Sequence, residues 1–134
     1  MYKVTSSIEF CYGHRLVGHQ GKCRYLHGHN GRIEVDVESE ETDQLGMVMD
    51  FSELRGVVKR WIDENIDHRM VLSREDPVAT ALREMKEPVY LMDANPTAEN
   101  LSRHIFEQVR GLGLLVSEVR LWETPFSLAS YSDP

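Results

Sequence analysis

Two imidazoles and a thiol crowd into the segment Cys23-Arg24-Tyr25-Leu26-His27-Gly28-His29. On a β-strand, successive side chains alternate faces, so His27 and His29 point the same way, roughly 6.6 Å apart along the strand. That spacing lets both rings hold one metal ion. Neutral imidazole suits zinc, and a catalytic zinc keeps one position open beside three protein ligands. The expected third ligand is His14, which follows the first strand pattern, whereas His19 sits in the glycine-flanked loop Val17-Gly18-His19-Gln20-Gly21 and His104 falls within a helical pattern. The bland alternative is that His-x-His arises in strands by chance and that a lone histidine is more often packed or exposed than metal-bound.

Cys23 lies four residues before His27, between Lys22 and Arg24. Three roles are open to it: a fourth ligand that closes the metal site, an inert buried thiol, or a base or nucleophile acidified by the neighbouring cations. Asp67-His68 pairs a carboxylate with an imidazole, the usual way to fix a tautomer for proton transfer. It reads equally well as a histidine at a helix C-terminus, stabilised by the dipole. Glu123 shares the parity of Val119 and Leu121, and a carboxylate on an apolar face needs a partner. A ligand with two adjacent N–H donors suits it; pairing with Arg120 or a terminal, solvent-facing position is the bland alternative.

The elements that must position these groups follow from the pattern of apolar residues. Tyr2, Val4, Ile8 and Phe10 share one parity, interrupted by Ser6, and predict a strand ending near Gly13. Ile33, Val35 and Val37 alternate with Arg32, Glu34, Asp36 and Glu38, which predicts a strand with one wet face. Extended backwards without a bulge, that parity puts His27 and His29 on the apolar side. Asp50-Phe51-Ser52-Glu53 opens a helix as a capping box, with Leu54, Val57, Val58, Trp61, Ile62 and Ile66 forming its stripe. Asp76-Pro77 caps a short helix through Met85, and Val89 to Met92 reads as a brief extended segment. Asn95-Pro96-Thr97 starts another helix, with Pro near its first turn and Leu101, Ile105, Val109 and Leu112 on one face before Gly111 and Gly113. Two strands close the chain, separated by Thr124-Pro125. The order strand, strand, helix, irregular stretch, helix, strand, strand predicts an α+β fold, with the helices covering one face of an antiparallel sheet.

Composition bounds what such a chain does. Its 134 residues fit one domain of ordinary size. Fifteen Lys and Arg against 22 Asp and Glu give a net charge of -7, which argues against nonspecific binding of nucleic acid. The only two cysteines, Cys11 and Cys23, make neither a disulfide framework nor a Cys-x-x-Cys pair. With no apolar signal core and no long apolar run, a soluble cytoplasmic protein is expected, without membrane partners.

Taken together, Phe10-x-x-x-His14-Arg15-Leu16, Cys23-x-x-x-His27-Gly28-His29, Met49-Asp50-Phe51, Asp67-His68, Pro96-Thr97-x-Glu99-Asn100 and Trp122-Glu123-Thr124 resemble the 6-pyruvoyltetrahydropterin synthase / 6-carboxytetrahydropterin synthase family. The resemblance runs from Phe10 to Thr124. It implies the tetrahydropterin synthase-like fold (T-fold), a four-stranded antiparallel sheet with helices on one face. Subunits of this fold join through their sheets into a barrel, and two trimers form a homohexamer with active sites at subunit interfaces. It further implies Zn2+ held by His14, His27 and His29, Cys23 as catalytic base, and Asp67 with His68 as a proton relay. Glu123 would anchor the pterin ring, with Thr97 and Thr124 lining its pocket. The three-residue spacer between cysteine and His-Gly-His is that of the bacterial carboxy-type enzymes. The implied reaction converts 7,8-dihydroneopterin triphosphate to 6-carboxy-5,6,7,8-tetrahydropterin, releasing acetaldehyde and triphosphate, on the route to queuosine. The pyruvoyl-type lyase activity on the same substrate is the alternative.

Cys11-Tyr12-Gly13 stands where many members carry small residues, and the segment from Ser73 to Ala94 is longer than in compact members. Two other readings compete. Gly21 to Glu34 nearly fits a cupin metal motif, but cupins are nearly all-β and two helical stripes oppose that reading. The other is a noncatalytic, zinc-stabilised oligomer in which Cys23 is only a ligand.

Overall fold

The computed structural model describes residues 1–133. Two long strands, β1 (Tyr2–His14) and β2 (His27–Ser39), form its centre. They are followed by helix α1 (Phe51–Asn65), strand β3 (Arg69–Ser73), helix α2 (Pro77–Glu84) and strand β4 (Val89–Met92). Helix α3 (Ala98–Gly111) and strands β5 (Val116–Thr124) and β6 (Ser127–Tyr131) complete the chain. The strands form one six-stranded sheet in the order β4-β3-β1-β2-β5-β6.

The sheet is therefore larger than the four antiparallel strands expected, and it is mixed. β1, β2, β5 and β6 pair antiparallel, while β3 runs parallel to β1 and β4 parallel to β3. The two added strands are short. In β3, Val71, Leu72 and Ser73 are buried in succession, so period-two alternation gives no signal there.

Alternation does place the long strands correctly. Ser6, Ile8, Phe10, Tyr12 and His14 are buried in turn along β1, and Ile33, Val35 and Val37 along β2. The β1–β2 register runs unbroken from Tyr2 opposite Ser39 to His14 opposite His27, so no bulge reverses the parity between the histidines and Ile33. Helix α1 begins at N-cap Asp50, whose side chain accepts from the Ser52 N–H, and buries Leu54, Val58, Trp61 and Ile62. Helix α2 has Asp76 as N-cap with Pro77 in its first turn. Helix α3 has Pro96 immediately before its cap: Thr97 is the N-cap, accepting from the Asn100 N–H. Leu112 is its C-cap and is exposed, whereas Leu101, Ile105, Phe106 and Val109 are buried.

These faces meet in one apolar cluster, in which Ile33, Val35, Leu54, Val58, Ile62, Leu101, Ile105 and Leu121 are fully buried. Each such side chain contributes about 1.5–3 kcal/mol by leaving water. Burial in this cluster fixes which face of β1 and β2 turns inward, and with it the side on which the histidines stand.

The outer face of the central strands is charged. Asp36, fully buried, accepts two hydrogen bonds from the Arg120 guanidinium at 2.6 and 2.8 Å and one from Thr5 at 2.7 Å. Arg120 also meets Glu34 and Glu118. Burial alone raises the Asp36 pKa, but the Arg120 and Thr5 hydrogen bonds with the Arg120 and Lys3 charges outweigh it and hold the carboxyl below its ordinary value. The stability gained is thus present above the unfolded-state pKa and lost as pH falls through the lower folded one. Arg120→Met leaves Asp36 buried without its main partner and should cost on the order of 3 kcal/mol at neutral pH. Urea unfolding should show the gap from wild type narrowing as pH falls from about 5 towards about 3.

Candidate metal centre

The pairing of β1 with β2 brings three imidazoles together. His14 stands directly across from His27, and His29 lies two residue pairs further along, opposite Tyr12, on the same face. Their ring centroids are 4.6 Å (His14–His27), 5.0 Å (His14–His29) and 5.1 Å (His27–His29) apart. One nitrogen from each ring lies within 4.8 Å of the others.

Backbone carbonyls fix which nitrogen each ring offers. His14 Nδ1 donates to the Pro96 carbonyl oxygen at 2.7 Å, and His27 Nδ1 donates to that of Tyr25 at 2.7 Å. A carbonyl only accepts, so the hydrogen sits on Nδ1 and the Nε2 lone pair of each neutral ring is free. Burial, against the Pro96 hydrogen bond and with the neighbouring imidazoles, lowers the His14 pKa to about 4, and burial lowers that of His29. Neutral rings are the form that binds metal. His14 Nε2 and His29 Nε2 are 3.1 Å apart, a separation that calls for a shared proton or a cation. A tetrahedral ion with metal–nitrogen bonds of about 2.0–2.1 Å has an edge of about 3.3 Å. The donor set fits a divalent metal ion.

Glu123 approaches from β5. Its carboxylate oxygens lie 3.9 Å from His14 Nε2 and 3.9 Å from His29 Nε2. The strand parity that pointed this carboxylate towards the apolar face has thus placed it at the histidine cluster, not on Arg120, which faces the other way towards Asp36.

The remaining candidates are dispersed. Cys23 occupies a single 3-10 turn, Lys22–Arg24, in the loop between β1 and β2, and is half-buried with a free thiol. Asp67 and His68 follow α1 and are tied to β1: Asp67 Oδ1 accepts from the Cys11 N–H at 3.0 Å, and the His68 N–H donates to the Cys11 carbonyl at 2.7 Å. Asp67 Oδ2 lies 2.9 Å from His68 Nδ1. Burial raises the Asp67 pKa, but the Cys11 N–H and His68 more than offset this and leave it below the ordinary value. The His68 ring is 78 % exposed, and its backbone is left-handed at φ 58°. Asp67, His68 and Thr124 line an outer-face hollow of about 660 Å³ with Cys11, Asn30 and Trp122, and none of the three histidines borders it. A second hollow, of about 690 Å³, is bordered by His68 together with His27 and His29, so within one chain His68 shares a cavity with two of the histidines and Asp67 does not. Thr97 hydroxyl caps α3.

Three features at the centre escaped sequence reasoning. Pro96 and Tyr25 act through backbone carbonyls, which no side-chain pattern reports. Tyr12 is the third: 3 % exposed, it packs edge-on against His14 at 5.3 Å and tilted against His29 at 5.6 Å. Its ring occupies space left by Gly31, where an added Cβ would meet Tyr12 Cε1 at 2.9 Å. Its parity with His14 was the available signal. Burial, with the Glu123 charge, pushes its phenol pKa up.

Comparisons with known proteins agree with this architecture. The family model described as 6-pyruvoyl tetrahydropterin synthase matches residues 3–134. A protein of Rickettsia felis named 6-carboxy-5,6,7,8-tetrahydropterin synthase is 42% identical over 132 residues, 93% of this chain and 96% of that one. A protein of Haemophilus influenzae with the same name is 33% identical over 141 residues, covering 99% of this chain and 100% of its own. Among solved structures, an uncharacterized protein from Wolinella succinogenes superposes with a TM-score of 0.87 at 30% identity, covering 99% of this chain and 98% of that one. The Caenorhabditis elegans 6-pyruvoyl tetrahydropterin synthase shares the fold, with a TM-score of 0.74 at 22% identity over 99% of this chain and 96% of its own. Nearly the whole chain is matched in each case, and the protein belongs to the 6-pyruvoyl tetrahydropterin synthase family of enzymes.

Proposed function

We propose that the protein is a zinc-dependent lyase that converts 7,8-dihydroneopterin triphosphate to 6-carboxy-5,6,7,8-tetrahydropterin, with release of acetaldehyde and triphosphate. The observation that carries this reading is the convergence of His14, His27 and His29 beside Glu123, in a chain 42% identical to a protein named for that product. His14, His27 and His29 hold the zinc. When bound, the ion supplies a Lewis acid that polarises the oxygens of the substrate side chain and acidifies the adjoining C–H.

The chain's own groups do the rest. Cys23, as thiolate, takes the proton from carbon. Asp67 orients His68, which returns a proton during the rearrangement and the departure of triphosphate. Glu123 accepts two N–H bonds from the pterin ring and holds it in register, with Thr97 and Thr124 along the pocket. Arg15 is neutralised by Asp76, whereas Lys22 and Arg24, the latter bound only to the uncharged Gln20 carbonyl and Tyr25 hydroxyl, keep their charge for the triphosphate. Asp67 borders a hollow that none of the three histidines lines, which suits a dyad that serves the metal centre of a second copy. A homohexamer built as a dimer of trimers supplies that copy. The reducing cytoplasm suits two free cysteines.

Three measurements test this reading. A strong chelator should abolish turnover of dihydroneopterin triphosphate, and added zinc should restore it; mass spectrometry should then find the carboxy product with acetaldehyde, whereas a pyruvoyl product would move the chain to the sister activity. Cys23→Ala should keep its full zinc content while turnover falls by about 10²-fold or more. Loss of zinc in that variant would make Cys23 a ligand instead. Mixing inactive Cys23→Ala subunits with inactive His68→Ala subunits under conditions of subunit exchange should recover measurable activity. No recovery in verified mixed oligomers would place the thiol and the dyad in the same chain's site.

A further inference from the structure

The segment from Arg15 to Leu26 leaves β1 at one histidine of the cluster and enters β2 at another, so the loop carrying Cys23 is pinned at both ends by the metal centre. Pinning the ends does not fix the middle. Most residues between Val17 and Leu26 are exposed, and apolar packing cannot hold them in one conformation.

Polar ties from a distant part of the chain do this. The Val17 N–H donates to Asn95 Oδ1 at 3.1 Å, and Asn95 Nδ2 donates to the Val17 carbonyl at 2.9 Å. A single side-chain amide thus satisfies both backbone groups of one residue, as a neighbouring strand would. Next to it, the Leu16 N–H donates to the Cys23 carbonyl at 2.8 Å. One step before, Arg15 is bound through two nitrogens to Asp76 at 2.7 and 2.5 Å. Three successive residues are therefore held, and the middle one passes the constraint directly to the cysteine.

Asn95 is itself well anchored. Its carbonyl accepts from the Thr97 N–H at 2.9 Å and from Asn100 Nδ2 at 2.9 Å, which ties it to the first turn of α3. The next residue, Pro96, is the one whose carbonyl orients His14. The dipeptide Asn95-Pro96 touches the metal ligand with one residue and the thiol loop with the other.

We propose that Asn95 is a positioning residue: it sets the Cys23 loop against the metal centre by clamping Val17, in register with the tautomer that Pro96 imposes on His14. The inference rests on the reading of Cys23 as the base. It requires no contact between Asn95 and the substrate. Because misplacing a reacting group by about 1 Å can cost about 10²-fold in rate, a clamp this short-ranged has kinetic consequences.

The test uses the zinc-loaded protein and the variants Asn95→Ala and Asn95→Asp, with wild type and Cys23→Ala as references. Asn95→Ala should retain zinc and the protection of β1 and β2 amides from hydrogen exchange, while residues 16–23 lose protection. Its kcat should fall by about 10- to 100-fold with KM changing by much less. Asn95→Asp keeps the acceptor for the Val17 N–H and loses the donor, so it should recover part of the loss; it also provides the measurement if Asn95→Ala does not fold. Wild-type kcat in a variant whose loop has lost protection would overturn the inference, as would a fall in kcat that simply follows loss of zinc. Failure of the underlying reading looks different: Cys23→Ala would then turn over normally, whatever Asn95 does.

Discussion

The register between β1 and β2 is the constraint on which the rest of the structure depends. His14 faces His27 only because Ile8 faces Ile33 and Ser6 faces Val35 further down the same ladder. A slip of one residue turns every side chain of a strand to the other face. Such a slip would expose the apolar set and scatter the imidazoles in one step. The same burial that stabilises the fold therefore specifies the histidine cluster, without any separate device to hold the rings on one side. On the opposite face, Thr5 and Lys3 of β1 meet Asp36 of β2 and support this register, while Arg120 ties the same carboxylate to β5.

Around that frame, a second tier of contacts refines direction. Carbonyls of Tyr25 and Pro96 orient two of the rings, and both belong to irregular segments. Pro96 is poised by the start of α3, where Thr97 caps the helix, so the ring orientation of His14 in β1 depends on a helix whose first residue is 84 positions away, at Ala98. Tyr12 fills the remaining space between two of the rings and Glu123 closes the third side, with Phe10 stacked behind Tyr12 at 5.2 Å. The centre is thus built from two strands, one helix start and one further strand, all converging on the same end of the sheet.

Much of this was legible in the sequence, for physical reasons that also explain what was not. Alternation over the long strands reported the inward face of Ile33 and, by extension, of His27 and His29, because period two is a property of any half-buried strand. The N-caps Asp50 and Asp76 were readable because capping is local. By contrast, β3 was hidden, since a five-residue strand buried in a run and paired in parallel carries no alternation; Val89 to Met92 was read as extended, as β4 is, but without its partner it was not counted in the sheet. Pro96 was expected near the first turn of α3 and stands immediately before the cap. The sequence also could not reveal which hollows Asp67 and His68 border, since that depends on how α1 returns its end to the Cys11 edge of β1.

Gly31 and Tyr12 constrain each other's inheritance. A methyl group at 31 would stand 2.9 Å from the Tyr12 ring, so a side chain there displaces the buried ring while tyrosine remains at 12. Shrinking residue 12 first would release 31, but it would also remove a wall from two imidazoles. Drift through this part of the protein is therefore ordered: the change at 12 must precede the change at 31, and lineages that retain the aromatic ring remain bound to the glycine.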